Sequence, residues 1–274
     1  MSIALEDNVS DIIGKAQRGL GVSDSQLAER SGVSAEKIRK VRDGDLDDDA
    51  VERAAPVLKL DATALRKLAT GKWSPEAVGE IAGLAQFNTT YHDMTVNAYL
   101  VWDPATREGV AFDTGADCSD MLQRIEEKSL SVKLILLTHA HPDHVADLRR
   151  LRNATGASVY ISEREAEEGA EAIAEGKRFR SGSLEIEARL TSGHSPGGMT
   201  YVVTGLSRPV AIVGDSLFAG SMGGGNVSYD DALRNNREKI LMLPDETVIC
   251  PGHGPLTTVG KEKRDNPFFA MHWR

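Results

Sequence analysis

Apolar positions along the chain follow two different rhythms. Over residues 1 to 72 they recur at helical spacing: Ile12, Ile13, Ala16 and Leu20; then Leu27 and Ala28; then Ile38 and Val41; then Val51, Ala54, Val57 and Leu58; then Leu65 and Leu68. Positions three and four apart share one helix face, so five short helices are predicted. Start signals fall between the groups. Ser23, followed by Gln26 three residues on, is a capping-box pattern. Ser34 and Asp61 are N-cap candidates for the third and fifth helices. Gly32 falls where a tight helix-to-helix turn needs a residue that tolerates positive φ. Residues 73 to 85 read as a connector, in which Ser74-Pro75 is a helix-start signal.

From Gln86 onward, β-branched apolar runs alternate with helical segments. Strands are expected at 95–102, 109–113, 132–137, 157–161, 184–190, 199–204, 209–213 and 246–250. Helices are expected at 117–128, 144–152, 163–175 and 229–241. Strands and helices mix without strict alternation. The expected class is therefore α+β: two packed sheets with helices outside them, preceded by a small all-α domain. The expected division is 1–72 for the helical domain, 73–85 for the linker and 86–274 for the sandwich.

Composition adds limits. At 41% hydrophobic and 27% charged the chain is ordinary for a globular protein. It has no run of about 18 uncharged apolar residues, so no membrane span is expected. Met1 to Asp7 has neither a basic start nor an apolar stretch of signal length, which makes a cytoplasmic location the expectation. Cys118 and Cys250 form no metal clip or disulfide framework and are expected as reduced, partly buried thiols. The net charge is −9; up to residue 72 there are 12 Lys+Arg and 13 Asp+Glu, against 20 and 28 in the remainder. That imbalance argues against nucleic acid as the substrate of the larger part.

The candidate chemistry is concentrated. Five of the seven histidines fall in three short motifs: His139, His141 and His144 in Thr-His-Ala-His-Pro-Asp-His, His194 in Gly-His-Ser-Pro-Gly-Gly, and His253 in Pro-Gly-His-Gly-Pro. Asp143 and Asp215 join them. Each motif follows an expected strand, which gathers the side chains on loops at one edge of the sheets. His139 and His141, two apart in an extended loop, point the same way and can bind one ion. Asp143 and His144 open a helix and turn toward a second. His194 completes the first set and His253 the second, while Asp215 offers one oxygen to each ion. His92 and His272 belong to no motif and are expected to be structural. The N and O ligands suit zinc first, with iron or manganese also allowed.

This order of ligands resembles the metallo-β-lactamase superfamily, and the likeness covers about residues 86 to 274. Asn97-Ala98-Tyr99-Leu100 and Asp113-Thr114-Gly115 also look like that superfamily's early strands. The resemblance implies an αβ/βα sandwich with two divalent metal ions at one edge. Gly214 to Ser221 and the tail ending in Asn266-Pro267-Phe268 look like the glyoxalase II (hydroxyacylglutathione hydrolase-like) branch. That likeness implies thioester hydrolysis of a small-molecule substrate. The chain departs from the branch where Ser221 leads into Met222-Gly223-Gly224-Gly225-Asn226 rather than a Gly-Arg-Thr/Ser-Asp-like stretch. The departure disfavours a persulfide dioxygenase, and Asp215 disfavours a β-lactamase. A lactonase of the same fold is the enzymatic rival.

Water between two such ions would be hydroxide at neutral pH, a nucleophile that needs no protein base. Asp143 is the expected catalytic residue, orienting it or accepting a proton. A leaving thiol, with a pKa of about 8.5, departs with little help from an acid. A lactone or amide would ask for a donor such as Tyr201 or Tyr229, both better read as packing residues. Lys261, Lys263 and Arg264 are the basic candidates for binding a substrate carboxylate.

Residues 20 to 42 resemble a Cro/repressor-type helix-turn-helix, with Lys37, Arg39 and Lys40, and Arg42 beside them, on the would-be recognition helix. The acidic run Asp43, Asp45, Asp47, Asp48 and Asp49 follows at once. DNA binding is therefore less favoured than a homodimerising or shielding role. A second class of function also stands: a DNA-binding regulator whose sandwich senses or hydrolyses a metabolite.

Overall fold

The computed structural model describes residues 3–45 and 47–273. It opens with five helices: α1 (Val9–Leu20), α2 (Asp24–Ser31), α3 (Ala35–Arg42), α4 (Asp48–Val57) and α5 (Ala62–Ala69). Their boundaries follow local chemistry. Ser23 and Gln26 form the reciprocal capping box of α2, and Gly32 ends that helix at φ 65. Ser34 and Asp61 cap α3 and α5 through their side chains. Asn8 and Asp11 make a second capping box at α1, which the apolar pattern alone does not announce.

The connector after α5 holds no helix; Ser74-Pro75 lies in irregular chain, and the first strand begins at Leu84. The first sheet runs β1 (Leu84–Tyr91), β2 (Met94–Trp102), β3 (Glu108–Phe112), β4 (Ser131–Leu136), β5 (Ser158–Ser162) and β6 (Glu171–Ile173), in that spatial order. β1, β2 and β3 pair antiparallel, and the pairs from β3 to β6 are parallel. The second sheet holds β7 (Arg178–Ser181), β8 (Leu184–Leu190), β9 (Met199–Thr204), β10 (Val210–Gly214), β11 (Val248–Pro251) and β12 (Thr257–Thr258), in the order β12-β11-β10-β9-β8-β7.

Three apolar cores hold these layers. Tyr99, Phe112, Leu136, Ile186, Tyr201 and Ile212 fill the space between the sheets. On the outer face of the first sheet, Leu100, Ile135 and Val159 meet Met121 of α6 (Ser119–Glu127) and Leu151 of α8 (Leu148–Thr155). On the outer face of the second, Val202, Ala211, Val213 and Ile249 share one core with Ile12, Leu27, Leu58 and Leu65 of the helical region. Tyr229 and Ala232 of α9 (Tyr229–Asn235) and Val259 of α10 (Val259–Asp265) complete it. The five helices therefore cover a sheet face rather than standing apart on the connector.

One element differs in type from the pattern. Residues 163–175, expected as a helix, form turns and then β6. The glutamates there favour helix intrinsically but supply no apolar stripe to bury. Gly169, at φ 79, breaks the run, and pairing with β5 takes Glu171 to Ile173. Likewise the expected helix at 144–152 divides into α7 (Pro142–Val145) and α8, and the helix over 229–241 continues past Asn235 as a π turn. Cys118 and Cys250 are fully buried free thiols. Burial pushes the Cys118 thiol up to about 12, so it stays protonated. Among the described residues no helix is long and apolar enough to cross a membrane.

Candidate metal centre

Four loops converge at one edge of the sandwich: those after β4, β8, β10 and β11. They place His139, His141, His194 and Asp215 in one group and Asp143, His144 and His253 in another. Within each group the ligand-type atoms lie within 4.8 Å of one another. The rings of His139 and His141 stand 4.4 Å apart, centre to centre. Pro142 starts α7 at its first turn, and this turn carries Asp143 and His144 away from that pair.

Asp215 touches both groups. Its Oδ2 is 3.3 Å from His194 Nε2 and 3.9 Å from His139 Nε2. On the other side, Oδ1 is 3.3 Å from His144 Nε2 and Oδ2 is 3.4 Å from His253 Nε2. Asp143 Oδ2 stands 3.3 Å from His253 Nε2 and 3.5 Å from His144 Nε2.

The far side of four of the five rings is anchored, while His141 Nδ1 stands 3.1 Å from His194 Nε2 within the cluster. His144 Nδ1 lies 2.8 Å from Asp113 Oδ2, His194 Nδ1 3.1 Å from the Gly224 carbonyl, and His253 Nδ1 2.6 Å from the Thr95 carbonyl. His139 Nδ1 lies 3.0 Å from Thr138 Oγ1, which itself donates to Asp113 Oδ2. Donation from Nδ1 leaves each Nε2 lone pair aimed into the cluster. Of these atoms, His139 Nε2, His144 Nε2 and Asp215 Oδ1 are buried without a hydrogen bond. Buried polar atoms are nearly always satisfied, so convergent unsatisfied acceptors fit cations.

The electrostatics agree. Burial opposes the charged form of His144, yet Asp215 and Asp113 outweigh it and raise the imidazole to about 10. Burial likewise opposes a charge on His253, but Asp215 and Asp143 lift it to about 11. His139 moves the other way, driven down by burial and by His144. Burial opposes the Asp215 carboxylate as well, but His253 and His144 hold it well below the usual range. Carboxylates that draw protons onto neighbouring imidazoles mark a place short of positive charge, which bound metal supplies in exchange for those protons.

Residues outside the motifs hold this arrangement. Asp113, at φ 55, fixes Thr138 and His144 together. Glu165 accepts from Ala140 N at 2.9 Å and from Gly197 N at 3.0 Å, tying the loop of His139 and His141 to the loop of His194. The glycine stretch that departs from the glyoxalase pattern has a steric reason. A β-carbon at Gly223 would fall 1.7 Å from the Asp215 carbonyl oxygen and 3.1 Å from His194 Nδ1. Asp113 stands in a recognisable motif, whereas Glu165 carries no sequence signal of its role.

Other candidates lie elsewhere. Lys261 pairs with Glu76, and Lys263 pairs with Asp245 beneath the Trp273 ring. Arg264 is exposed on the same helix, α10. None of the three is paired with a metal-site residue. Lys37 pairs with Asp47 and Lys40 with Glu36, while Arg39 Nε donates to the Ala35 carbonyl. The basic face of α3 is thus met by its own acidic neighbours. Tyr201 donates to the Leu137 carbonyl within the core, and Tyr229 packs in the core beside α1. His92 and His272 stay outside both ligand groups.

A two-layer sandwich with this edge defines a class of metal-dependent hydrolases. The chain belongs to the metallo-beta-lactamase superfamily, whose profile matches residues 93–253. It is 30% identical over 197 residues to hydroxyacylglutathione hydrolase GloC of Haemophilus influenzae, covering 63% of this chain and 92% of that protein. The crystal structure of BLEG-1 B3 metallo-beta-lactamase is similar at a TM-score of 0.59 and 29% identity, covering 68% of this chain and 98% of that one. A crystal structure of TTHA1623 in a di-iron-bound form is similar at 0.55 and 29% identity, covering 67% and 100%. The five helices lie outside the family match.

Proposed function

We propose that this metallohydrolase cleaves thioesters at a dinuclear centre. His139, His141 and His194 would hold one ion and Asp143, His144 and His253 the other, with Asp215 lying between the two groups. The observation that carries this reading is Asp215, whose oxygens stand within 3.9 Å of Nε2 atoms of both groups, those of His139 and His144 being buried without a hydrogen bond. When bound, two divalent ions lower the pKa of water toward about 7 and polarise the substrate carbonyl. Zinc suits these donors, and the likeness to a di-iron-bound structure keeps iron in the comparison.

The chain's own residues do the rest. Asp143 stays anionic, since His253 and His144 offset its burial. In this reading Asp143 orients the attacking hydroxide or accepts a proton afterwards. Neither tyrosine weighed as an acid stands free at the site: Tyr201 is spent on Leu137, and Tyr229 is packed against α1. A leaving group that departs without a proton donor therefore suits the site, and a thiol is such a group. The name of the GloC relative points the same way.

The test is a panel run on protein loaded separately with zinc, iron and manganese. It contains S-lactoylglutathione, simpler thioesters, lactones and a β-lactam, the last because of the likeness to BLEG-1. Thioester turnover should exceed lactone and β-lactam turnover in kcat/KM. Turnover of lactones or the β-lactam without thioesters would overturn the reading.

A further inference from the structure

The helical region reaches the loop that backs the metal ligands. This loop leaves Asp215 at one end and comes back at the other, where the Gly224 carbonyl lies 3.1 Å from His194 Nδ1. A β-carbon on Gly223 would fall 1.7 Å from the Asp215 carbonyl oxygen and 3.1 Å from His194 Nδ1, so the returning chain packs directly behind both residues. Gly223, Gly224 and Gly225 have no side chains to hold them in that place. Glycine loses more conformational freedom on ordering than any other residue. The position of the turn therefore depends on what fixes the chain just before it.

Lys15 of α1 fixes it. Its Nζ donates to the Met222 carbonyl at 2.8 Å and to the Asp7 carboxylate, which also accepts from Ser221 Oγ. The same ammonium sits 5.0 Å over the Phe218 ring, and that ring stands edge-on to His253. The Lys15 and Asp7 side chains are only 13% and 7% exposed. An ammonium so buried is costly unless matched, and here a carboxylate, a carbonyl and a ring face match it. The chain's tail grips the loop one step earlier: Glu262 accepts from Gly220 N at 3.0 Å, and Asn266 donates to the Ser221 carbonyl at 2.8 Å. The segment before α1 also abuts the loop of His253. A β-carbon on Gly254 would fall 3.2 Å from Glu6 N, and the Glu6 carboxylate stands 4.0 Å from His253 Nδ1, on the side of the ring turned away from the cluster.

We infer that Lys15 is a positioning residue of the metal centre, acting through Met222 and the glycine turn on Asp215 and His194. The helical region, which lies outside the family match, is thus a working part of the site. The inference rests on the two-metal assignment and not on the choice of a thioester as substrate. It differs from a plain docking role for the buried ion pair. Docking would tie Lys15 to overall stability, whereas positioning ties it to the ion held by His139, His141, His194 and Asp215.

The test uses the full-length chain with zinc as the probe. Lys15→Met keeps the apolar stem and removes the donor and the charge. Asp7→Asn keeps an acceptor and removes the charge that holds Lys15; it carries the test if Lys15→Met does not fold. Ile38→Ala, which opens a cavity among the helices, is the control for lost stability. Chelator competition on Lys15→Met should show one zinc step weakened about tenfold, the low end for a group acting from behind a ligand, and the other moved by less than about threefold. Asp7→Asn should move the same step in the same direction. In the metal-free protein, amide exchange over residues 218–225 should quicken in Lys15→Met and not in Ile38→Ala. Zinc steps unchanged in both variants, weakened equally, or moved as far by Ile38→Ala would overturn the inference while leaving the metal assignment standing. A wild type that binds fewer than two ions would overturn that assignment, and the inference with it.

Discussion

The five-helix region and the metal edge of the sandwich use burial in opposite ways. In the helices the deepest positions are apolar: Ile12, Leu27, Leu58 and Leu65 have essentially no exposed surface. Helix starts are closed by side-chain caps at Asn8, Ser23, Ser34, Asp47 and Asp61. At the edge the buried groups are Asp113, His139, Asp143, His144, Asp215 and His253. Burying such groups costs several kcal/mol each unless partners compensate, and three atoms there have no hydrogen-bond partner. The helical region also holds two such atoms, Gln17 Oε1 and Arg42 Nε, but at the edge the three belong to convergent ligand-type groups, so the edge is the polypeptide half of a site. Removing a ligand should therefore have the largest effect of any single change. His141→Ala should lower kcat/KM by about a thousandfold, as loss of several kcal/mol of charge stabilisation implies. Metal analysis should show fewer bound ions per chain, with helical content unchanged. A variant that still binds two ions with full affinity would break the assignment.

The same contrast explains what the sequence announces. The edge is legible because its ligands arrive in a fixed order on short loops, and His139 and His141 are close along the chain as well as in space. The helices are legible from apolar spacing and from caps such as Ser23 with Gln26. Long-range contacts leave no such trace. Glu6 meets a residue almost at the other end of the chain, and nothing around it marks that. Glu165 sits in a glutamate-rich run whose local preference is for helix, and its role depends on two loops brought together by separate sheets. The shared core between α5 and the second sheet is hidden for the same reason, since Leu65 looks like any buried helix residue until its neighbours are known.

That shared core supplies a second way to break the comparison. If the helices were a separate body, a cavity among them would leave the sandwich unchanged. Here Leu65 lies in one cluster with Val213, Ile249 and Phe269, and Asp61 N donates to the Pro267 carbonyl at 2.7 Å. Leu65→Ala should cost about 2–5 kcal/mol of stability. Chemical unfolding followed by far-ultraviolet dichroism and by tryptophan fluorescence should give one coincident transition, shifted as a whole. An early helical transition that leaves the sandwich midpoint in place would contradict the shared core.

The smallest expected effect separates the two halves of the edge itself. Glu165 touches only one of them. One oxygen accepts from Ala140, which lies between His139 and His141, and the other accepts from Gly197, three residues after His194. No bond from Glu165 reaches the loops of Asp143, His144 or His253 among the described residues. Glu165→Gln keeps the shape but replaces one acceptor with an amide that can only donate, so one backbone N–H loses its partner. The loop positions of His139, His141 and His194 then loosen relative to one another. Partners behind a ligand typically carry a 10–100-fold effect on metal affinity, and the loss should fall on the first ion. Competition with a chelator should resolve one weakened binding step and one that moves by less than about threefold, a split that general destabilisation would not produce. Equal weakening of both steps, or of neither, would show that Glu165 does not act through the first group of ligands.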